Sequence, residues 1–201
     1  MSLVLDLGSG TGITSVFLAK EYGFRVVAAD LWSDPTENMQ FFASQGLSSA
    51  EIMPIHADAN SLPFAHEFFD AVVSTDSYNY FGRDPAYLGE KLLPFVRIGG
   101  LICICVPGMK KDCHENLPKE LLASWNAEQL DYIHDREYWQ GIIGQTAGID
   151  ILSIREMESN EEVWADWLSC ENAYAAADRA AFAAGGGKYL NFISIILRKQ
   201  E

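Results

Sequence analysis

Basic residues are scarce in this chain: 14 Lys and Arg stand against 28 Asp and Glu in 201 residues, a formal net charge of −14. That balance repels phosphate backbones and anionic lipid surfaces, so neither nucleic acid nor a membrane is an expected partner. Long apolar runs are also missing, since none approaches the roughly eighteen residues a membrane helix needs. The N-terminus lacks the basic-then-apolar build of a signal peptide, and the expected location is cytoplasmic. Cysteine is sparse, and Cys103, Cys105, Cys113 and Cys170 form no CxxC pair, which argues against a zinc site and against a disulfide framework. All four are expected to be reduced thiols. His56, His66, His114 and His134 show no ligand spacing, so no metal is expected.

What the chain does have is alternation. Short apolar runs follow one another with amphipathic stretches between them, the pattern of strand and helix units around a largely parallel sheet. About half the residues are apolar, enough for one core in a single domain. Leu3 to Leu7 reads as a strand ending in glycines. Ile13, Val16, Phe17 and Lys20 then recur at helical spacing up to Gly23. A second strand, Phe24 to Ala29, ends at Asp30, and Asp34-Pro35 opens a helix that Gly46 closes. Glu51 to Ile55 and Asp70 to Ser74 read as two more strands. Asp84-Pro85 opens a helix carrying Leu88, Leu92 and Val96, which Gly99-Gly100 closes before a fifth strand, Leu101 to Val106. Residues 109–134 have no clean period and read as an insertion. A helix from Asp135 to about Ala147, a strand from Ile149 to Met157, an alanine-rich helix from about Glu161 to Ala184 and a strand from Tyr189 to Leu197 complete the order.

The loop Gly8-Ser9-Gly10-Thr11-Gly12 joins the first strand to the first helix. Glycines there let backbone approach a ligand, and the helix start offers unpaired N–H groups. Asp30 ends the second strand, where a carboxylate can accept bonds from both hydroxyls of a ribose. Asp58 lies just beyond the third strand, where the purine of a bound nucleoside is expected. Three strand ends thus aim polar groups at one place. A nicotinamide dehydrogenase is the competing reading, but its fingerprint needs a glycine where this chain has Ile13.

The run Val4 to Gly12 resembles the first motif of the class I S-adenosylmethionine-dependent methyltransferases. The likeness continues through Asp30-Leu31-Trp32, His56 to Phe64 and Phe69 to Ser74, and ends at Ile98-Gly99-Gly100. Within that family the chain is similar to the small-molecule group that includes the ubiquinone and menaquinone methyltransferases. The resemblance implies a three-layer, doubly wound Rossmann-like α/β fold with a mostly parallel seven-stranded sheet whose last strand is antiparallel. It also implies S-adenosyl-L-methionine as cofactor, S-adenosyl-L-homocysteine as product, and roles for single residues. Gly8, Ser9, Gly10, Thr11 and Gly12 would lie along the methionine and ribose, Asp6 would support the amino group, and Asp30 would hold the ribose. Leu31 would flank the adenine, Asp58 and Ala59 would meet its amine, and Ser74 would line the methionine end. Relatives carry helical residues ahead of the first strand. With only Met1-Ser2-Leu3 before it here, cover for the cofactor is expected from later in the chain or from a partner.

On the acceptor side, Asp76, Tyr78 and Tyr80 follow the fourth strand and rank first. His114, His134 and Trp139 are the candidates from the segment expected to cover the acceptor. Insertions at about 109–134 and 159–187 are expected within a single domain spanning 1–201. Trp164, Trp167 and Tyr174 are expected mainly in the core, and if exposed they would favour a homodimer. Two functions stay open: methyl transfer to a small molecule, and a cofactor-binding relative without transfer activity that acts through a partner protein.

Overall fold

The computed structural model describes residues 2–200, so Met1 and Glu201 of the expected domain lie outside it. A seven-stranded sheet runs through the molecule in the order β3-β2-β1-β4-β5-β7-β6. The strands are β1 (Leu3–Leu7), β2 (Arg25–Asp30), β3 (Ile52–His56), β4 (Phe69–Thr75), β5 (Val96–Met109), β6 (Ile149–Glu156) and β7 (Leu190–Lys199). The pairs from β3 to β5 are parallel, and β7 runs antiparallel to both its neighbours. This is the expected Rossmann-like α/β arrangement.

β1 shows why the sequence takes this form. Its apolar run is buried on both faces, as a central parallel strand requires. Because side chains alternate, Val4 packs with Leu18, Phe42 and Ile52 on one side. Leu5 and Leu7 join Val72, Ile102 and Trp139 on the other. Helices therefore cover both faces, giving three layers. After β3 the chain crosses to the far side of β1 to form β4. That reversal opens a crevice at the carboxyl ends of β1 and β4.

The helices are α1 (Ile13–Tyr22), α2 (Pro35–Ser44), α3 (Tyr78–Phe81), α4 (Ala127–Leu130), α5 (Arg136–Ile143), α6 (Asn160–Ser169) and α7 (Ala173–Ala183). Asp34 caps α2 by accepting from the N–H groups of Thr36 and Glu37, with Pro35 in the first turn. Among the described residues no helix is long and apolar enough to cross a membrane.

Several local expectations need correction. The face of α1 that packs is Ser15, Leu18 and Ala19, whereas Ile13 and Phe17 are 70% and 52% exposed. No α-helix spans Asp84 to Val96. Instead a π-type turn, Leu88–Leu92, tightens into a 3₁₀ turn, Leu93–Phe95, because Pro94 lacks an N–H and its ring crowds the preceding turn. Val96 consequently starts β5, which passes through Gly99-Gly100 and continues past Pro107-Gly108 to Met109. The single alanine-rich helix is two helices, α6 and α7, divided where the Asn172 side chain accepts from the Tyr174 N–H to cap the second.

Candidate active site

The glycine loop is held from three directions. Gly8 and Ser9 donate their N–H groups to the Ala29 carbonyl, at 2.8 and 3.2 Å. The Asn38 amide of α2 donates to the Gly10 carbonyl at 2.8 Å, and the Gly10 N–H donates to Asp30 Oδ2 at 2.9 Å. Gly8 and Gly12 are there for lack of room. A Cβ on Gly8 would occupy the place of the Ser77 hydroxyl, and one on Gly12 would enter the buried ring of Phe42. Both also hold positive φ, at 75° and 86°.

Beside the loop lies a cavity of about 190 Å³, bounded by Gly8, Asp30, Leu31, Asp58, Ala59 and Tyr80, with Ser77, Trp32 and Asn60 at its margin. The Asp30 carboxylate is aimed by three backbone donors: Gly10, and through Oδ1 the N–H groups of Trp32 and Ser33, both at 2.8 Å. A carboxylate has about four acceptor sites, so capacity for another donor remains. The cap of the following helix is Asp34, not Asp30. Asp58 folds back through Oδ1 on the Asn60 N–H at 2.8 Å, and its Oδ2 has no partner among the described residues. Tyr87 donates to the Ala59 carbonyl at 3.0 Å and fixes that wall.

The rest of the loop set lies behind this surface. Asp6 is buried and accepts the Ser15 hydroxyl at 2.5 Å. Burial, opposed in part by that bond, pushes its pKa up to about 6. Ser74 is also buried, and its hydroxyl donates to the Leu7 carbonyl at 2.8 Å. Ser9 Oγ is buried without a partner. Neither Thr11, which is exposed, nor these residues line the cavity.

A larger cavity of about 580 Å³ adjoins the first, and Tyr80 lines both. Asp76 stands at its inner end, one residue past β4, in left-handed backbone with φ 55° and with its N–H on the Cys105 carbonyl at 2.8 Å. Its side chain is exposed to the open cavity, while many protein atoms crowd the carboxylate and reduce its solvation. That desolvation, and secondarily the charge of Asp178, pushes its pKa up to about 6. Asp178 accepts the Trp167 indole N–H at 2.9 Å. Its pKa is also raised by burial, against the hydrogen bonds from Trp167 and Trp125. Asn79 lines the same cavity, with its Oδ1 buried and unpartnered.

Of the acceptor-side candidates, Asp76 and Tyr80 line this cavity. Tyr78, Trp139, His114 and His134 line neither cavity. Tyr78 and Trp139 are fully buried in the main core, 5.8 Å apart between ring centres. Their apolar rings belong to the main core cluster, and burial wins over exposure of their polar tips. His134 stacks on Tyr138 at 3.6 Å with neither ring nitrogen bonded. Burial first, and then the charges of His114 and Arg83, push its pKa down to about 4. Although the sequence spacing gives no ligand set, the fold gathers Asp112, His114 and His134 with ligating atoms within 4.8 Å of one another. His114 instead bonds Asp112 and the Leu130 carbonyl, at 3.1 and 3.0 Å.

Sequence reasoning missed Trp125, Glu128, Tyr132 and Asp178 in the larger cavity, and put Trp164, Trp167 and Tyr174 mainly in the core. All seven line it. The i, i+3 spacing of Trp164 and Trp167 was the available signal, since it sets both indoles on one side of α6.

This sheet order, with a glycine loop and two acidic strand ends at the switch point, defines a nucleoside-binding α/β fold of the Rossmann-like methyltransferase kind. Residues 4–100 match the family described as methyltransferase domain. Over that range the chain resembles the class I, S-adenosylmethionine-dependent methyltransferases. A demethylmenaquinone methyltransferase from Clavibacter sepedonicus is 38% identical over 104 residues, which are 51% of this chain and 40% of that protein. A sarcosine/dimethylglycine N-methyltransferase from Aphanothece halophytica is 28% identical over 128 residues, 63% and 46% of the two chains. The chain thus spans less than half the length of these curated relatives. The fold is shared with geranyl diphosphate C-methyltransferase from Streptomyces coelicolor A3(2), solved with Mg2+, geranyl diphosphate and S-adenosyl-L-homocysteine. That likeness has a TM-score of 0.74 at 15% identity and covers 99% of this chain and 73% of that one.

Proposed function

We propose that this chain binds S-adenosylmethionine in the smaller cavity and transfers its methyl group to a small molecule held in the larger one. The observation that carries the reading is the junction of the two cavities at Tyr80, with Asp76 one residue beyond β4. The residues fit the cofactor. Asp30 and Asp58 offer acceptors to a nucleoside whose ribose hydroxyls and exocyclic amine are donors, and Leu31 and Ala59 offer apolar walls to its ring. Gly8 to Gly12, with Asp6 and Ser74 behind them, would carry the methionine part.

Held by Asp30, Asp58 and the glycine loop, the cofactor would supply an electrophilic methyl on its sulfonium sulfur. The chain's own part is placement and proton handling. Holding acceptor and methyl in contact within a sheltered cavity replaces a bimolecular encounter by a positioned one. Asp76, with a pKa near 6, is ionised at neutral pH and close enough to it to accept a proton from the acceptor. The segments at about 109–134 and 159–187 act as cover within a single methyltransferase domain, since Trp125 and Tyr132 come from one, and Trp164, Trp167 and Tyr174 from the other. No observation favours a cofactor-binding relative without transfer activity.

Calorimetry with S-adenosylmethionine and S-adenosylhomocysteine tests the reading. Heat is expected with both, and Asp30→Ala should weaken binding at least about tenfold, the scale of a hydrogen bond to a charged group. Absence of heat with either compound rejects the proposal. Release of S-adenosylhomocysteine across a panel of amines, phenols, thiols and carbon acids then reads turnover.

A further inference from the structure

We infer that the methyl acceptor is a cationic amine, bound as its ammonium among the aromatic rings of the larger cavity. The inference rests on reading that cavity as the acceptor site and adds the acceptor's charge and chemical class.

Charge is the first observation. Asp76, Glu128 and Asp178 line the cavity, and among its described lining residues there is no Lys, Arg or His. Two guanidiniums outside the lining are engaged with protein groups. Arg83 bonds the carboxylate and carbonyl of Asp131, at 2.8 and 3.0 Å, and covers the Tyr132 ring at 4.2 Å. Arg179 bonds the carbonyls of Leu168 and Cys170, at 2.9 and 2.8 Å. An acceptor bearing a carboxylate or a phosphate would find no cationic side chain among the described lining residues. A neutral hydroquinone would bring no charge to balance the three carboxylates.

The second observation is the kind of wall. Tyr80 comes from α3, Trp125 and Tyr132 from the covering segment, Trp164 and Trp167 from α6, and Tyr174 from α7. Rings contributed by separate elements border one cavity, with Tyr174 77% and Tyr80 49% exposed. Aromatic faces attract ammonium groups through their quadrupoles, most strongly when water is excluded.

The third observation is unused hydrogen-bonding capacity. Asn79 is 2% exposed and its Oδ1 has no partner. Asp178 is held in place by an indole donor, while Asp76 has no side-chain bond to protein among the described residues. The opposite kind of group, an unpaired buried donor, occurs once among the lining side chains, at Trp164 Nε1. Asp76 and Asp178 offer carboxylate acceptors to the N–H groups of an ammonium, which brings its charge with them. One of those protons passes to the Asp76 carboxylate, which leaves a lone pair on nitrogen, and Asp76 then returns the proton to water. The net charge of −14 draws cations toward the protein in general.

The test uses ligands that cannot be methylated and reads binding rather than turnover. Choline, its neutral isostere 3,3-dimethylbutan-1-ol, and glycine betaine, which adds a carboxylate, are titrated into the full chain by calorimetry. Choline is expected to bind at least about tenfold more tightly than the other two. Asp178→Asn should remove most of that preference. Should it unfold the chain, Glu128→Gln at the exposed rim should still weaken choline by about threefold. Equal binding of the alcohol, tighter binding of glycine betaine, or no binding of choline overturns the inference. S-adenosylhomocysteine titrated into the same sample separates it from the methyltransferase reading. Heat from that compound without a preference for choline rejects the amine alone. A preference for choline without that heat rejects methyl transfer and leaves a cation-binding cavity.

Discussion

The Ser77 hydroxyl fills the space that a side chain on Gly8 would need. Ser77 cannot easily withdraw, because its Oγ donates to the Leu7 carbonyl at 2.9 Å and lies 2.8 Å from Ser74 Oγ. The glycine loop is thereby seated on the turn that follows β4, and the two strand ends bounding the crevice are locked together through Leu7.

Gly8→Ala should accordingly destabilise the chain and remove cofactor binding together. Left-handed backbone alone costs a non-glycine residue about 1–2 kcal/mol, and displacing Ser77 adds to it. A fall of at least about 2 kcal/mol in urea unfolding is expected. Adding Ser77→Gly should restore the steric part and not the backbone part. A Gly8→Ala chain as stable as wild type would show that the loop is not held in this way.

Tyr78→Phe tests the opposite assignment. The ring is fully buried, its hydroxyl has no partner, and burial drives its pKa well above the ordinary tyrosine value. Removing an unsatisfied buried hydroxyl should leave stability unchanged or raise it by up to about 1–2 kcal/mol. Affinity for S-adenosylhomocysteine should not change. A large loss of stability would reveal a hydrogen bond to that hydroxyl, and a large loss of turnover with stability intact would return Tyr78 to the chemistry.

His134 supplies a pH dependence of known sign. Its folded pKa of about 4 lies below the ordinary 6.5, so as pH falls the unfolded chain takes up its proton first. The contribution to stability is intact above pH 6.5 and is lost on the way down to about pH 4. The full difference is at most about 3 kcal/mol. His114 works against it, since its folded pKa is raised. In His134→Phe, which keeps a ring against Tyr138, the urea midpoint should fall less between pH 7.5 and 5 than in wild type. An unchanged drop would mean that His134 is already charged in the fold.

The contrast between Asp30 and Asp178 shows how much was legible beforehand. Asp30 ends an apolar run, next in order after a glycine loop, and local sequence suffices to place it at the crevice. β1 to β4 are readable for the same reason, because parallel core strands are continuous apolar runs bounded by turns. Asp178 lies on an alanine-rich helix with nothing local to mark it, and it meets Asp76 only through the packing of α7 against the covering segment. Trp164 and Trp139 look alike in sequence, but tertiary packing leaves one at a cavity and the other wholly enclosed. From Leu88 to Phe95 the apolar periodicity points to one helix, but Pro94, without an N–H, breaks it into two short turns.

Asp6 gives the sharpest measurement, because it ties loop geometry to stability. It is 1% exposed, with a folded pKa raised to about 6 against 3.8. Below pH 3.8 it is protonated in both states and carries no penalty. Between 3.8 and 6 the unfolded chain ionises first, and stability falls as pH rises; above 6 the whole penalty applies, about 3 kcal/mol. Asp6→Asn keeps the size and a hydrogen-bonding partner for Ser15 while removing the charge. The variant should match wild type near pH 4 and exceed it by up to about 3 kcal/mol at pH 8, read from urea unfolding at each pH. If Asp6 also supports the amino group of the cofactor, the same variant should bind S-adenosylmethionine more weakly at pH 8 although it is more stable there. Such opposed changes would identify Asp6 as a buried charge kept for binding, whereas a gain in stability with unchanged affinity would confine it to the fold.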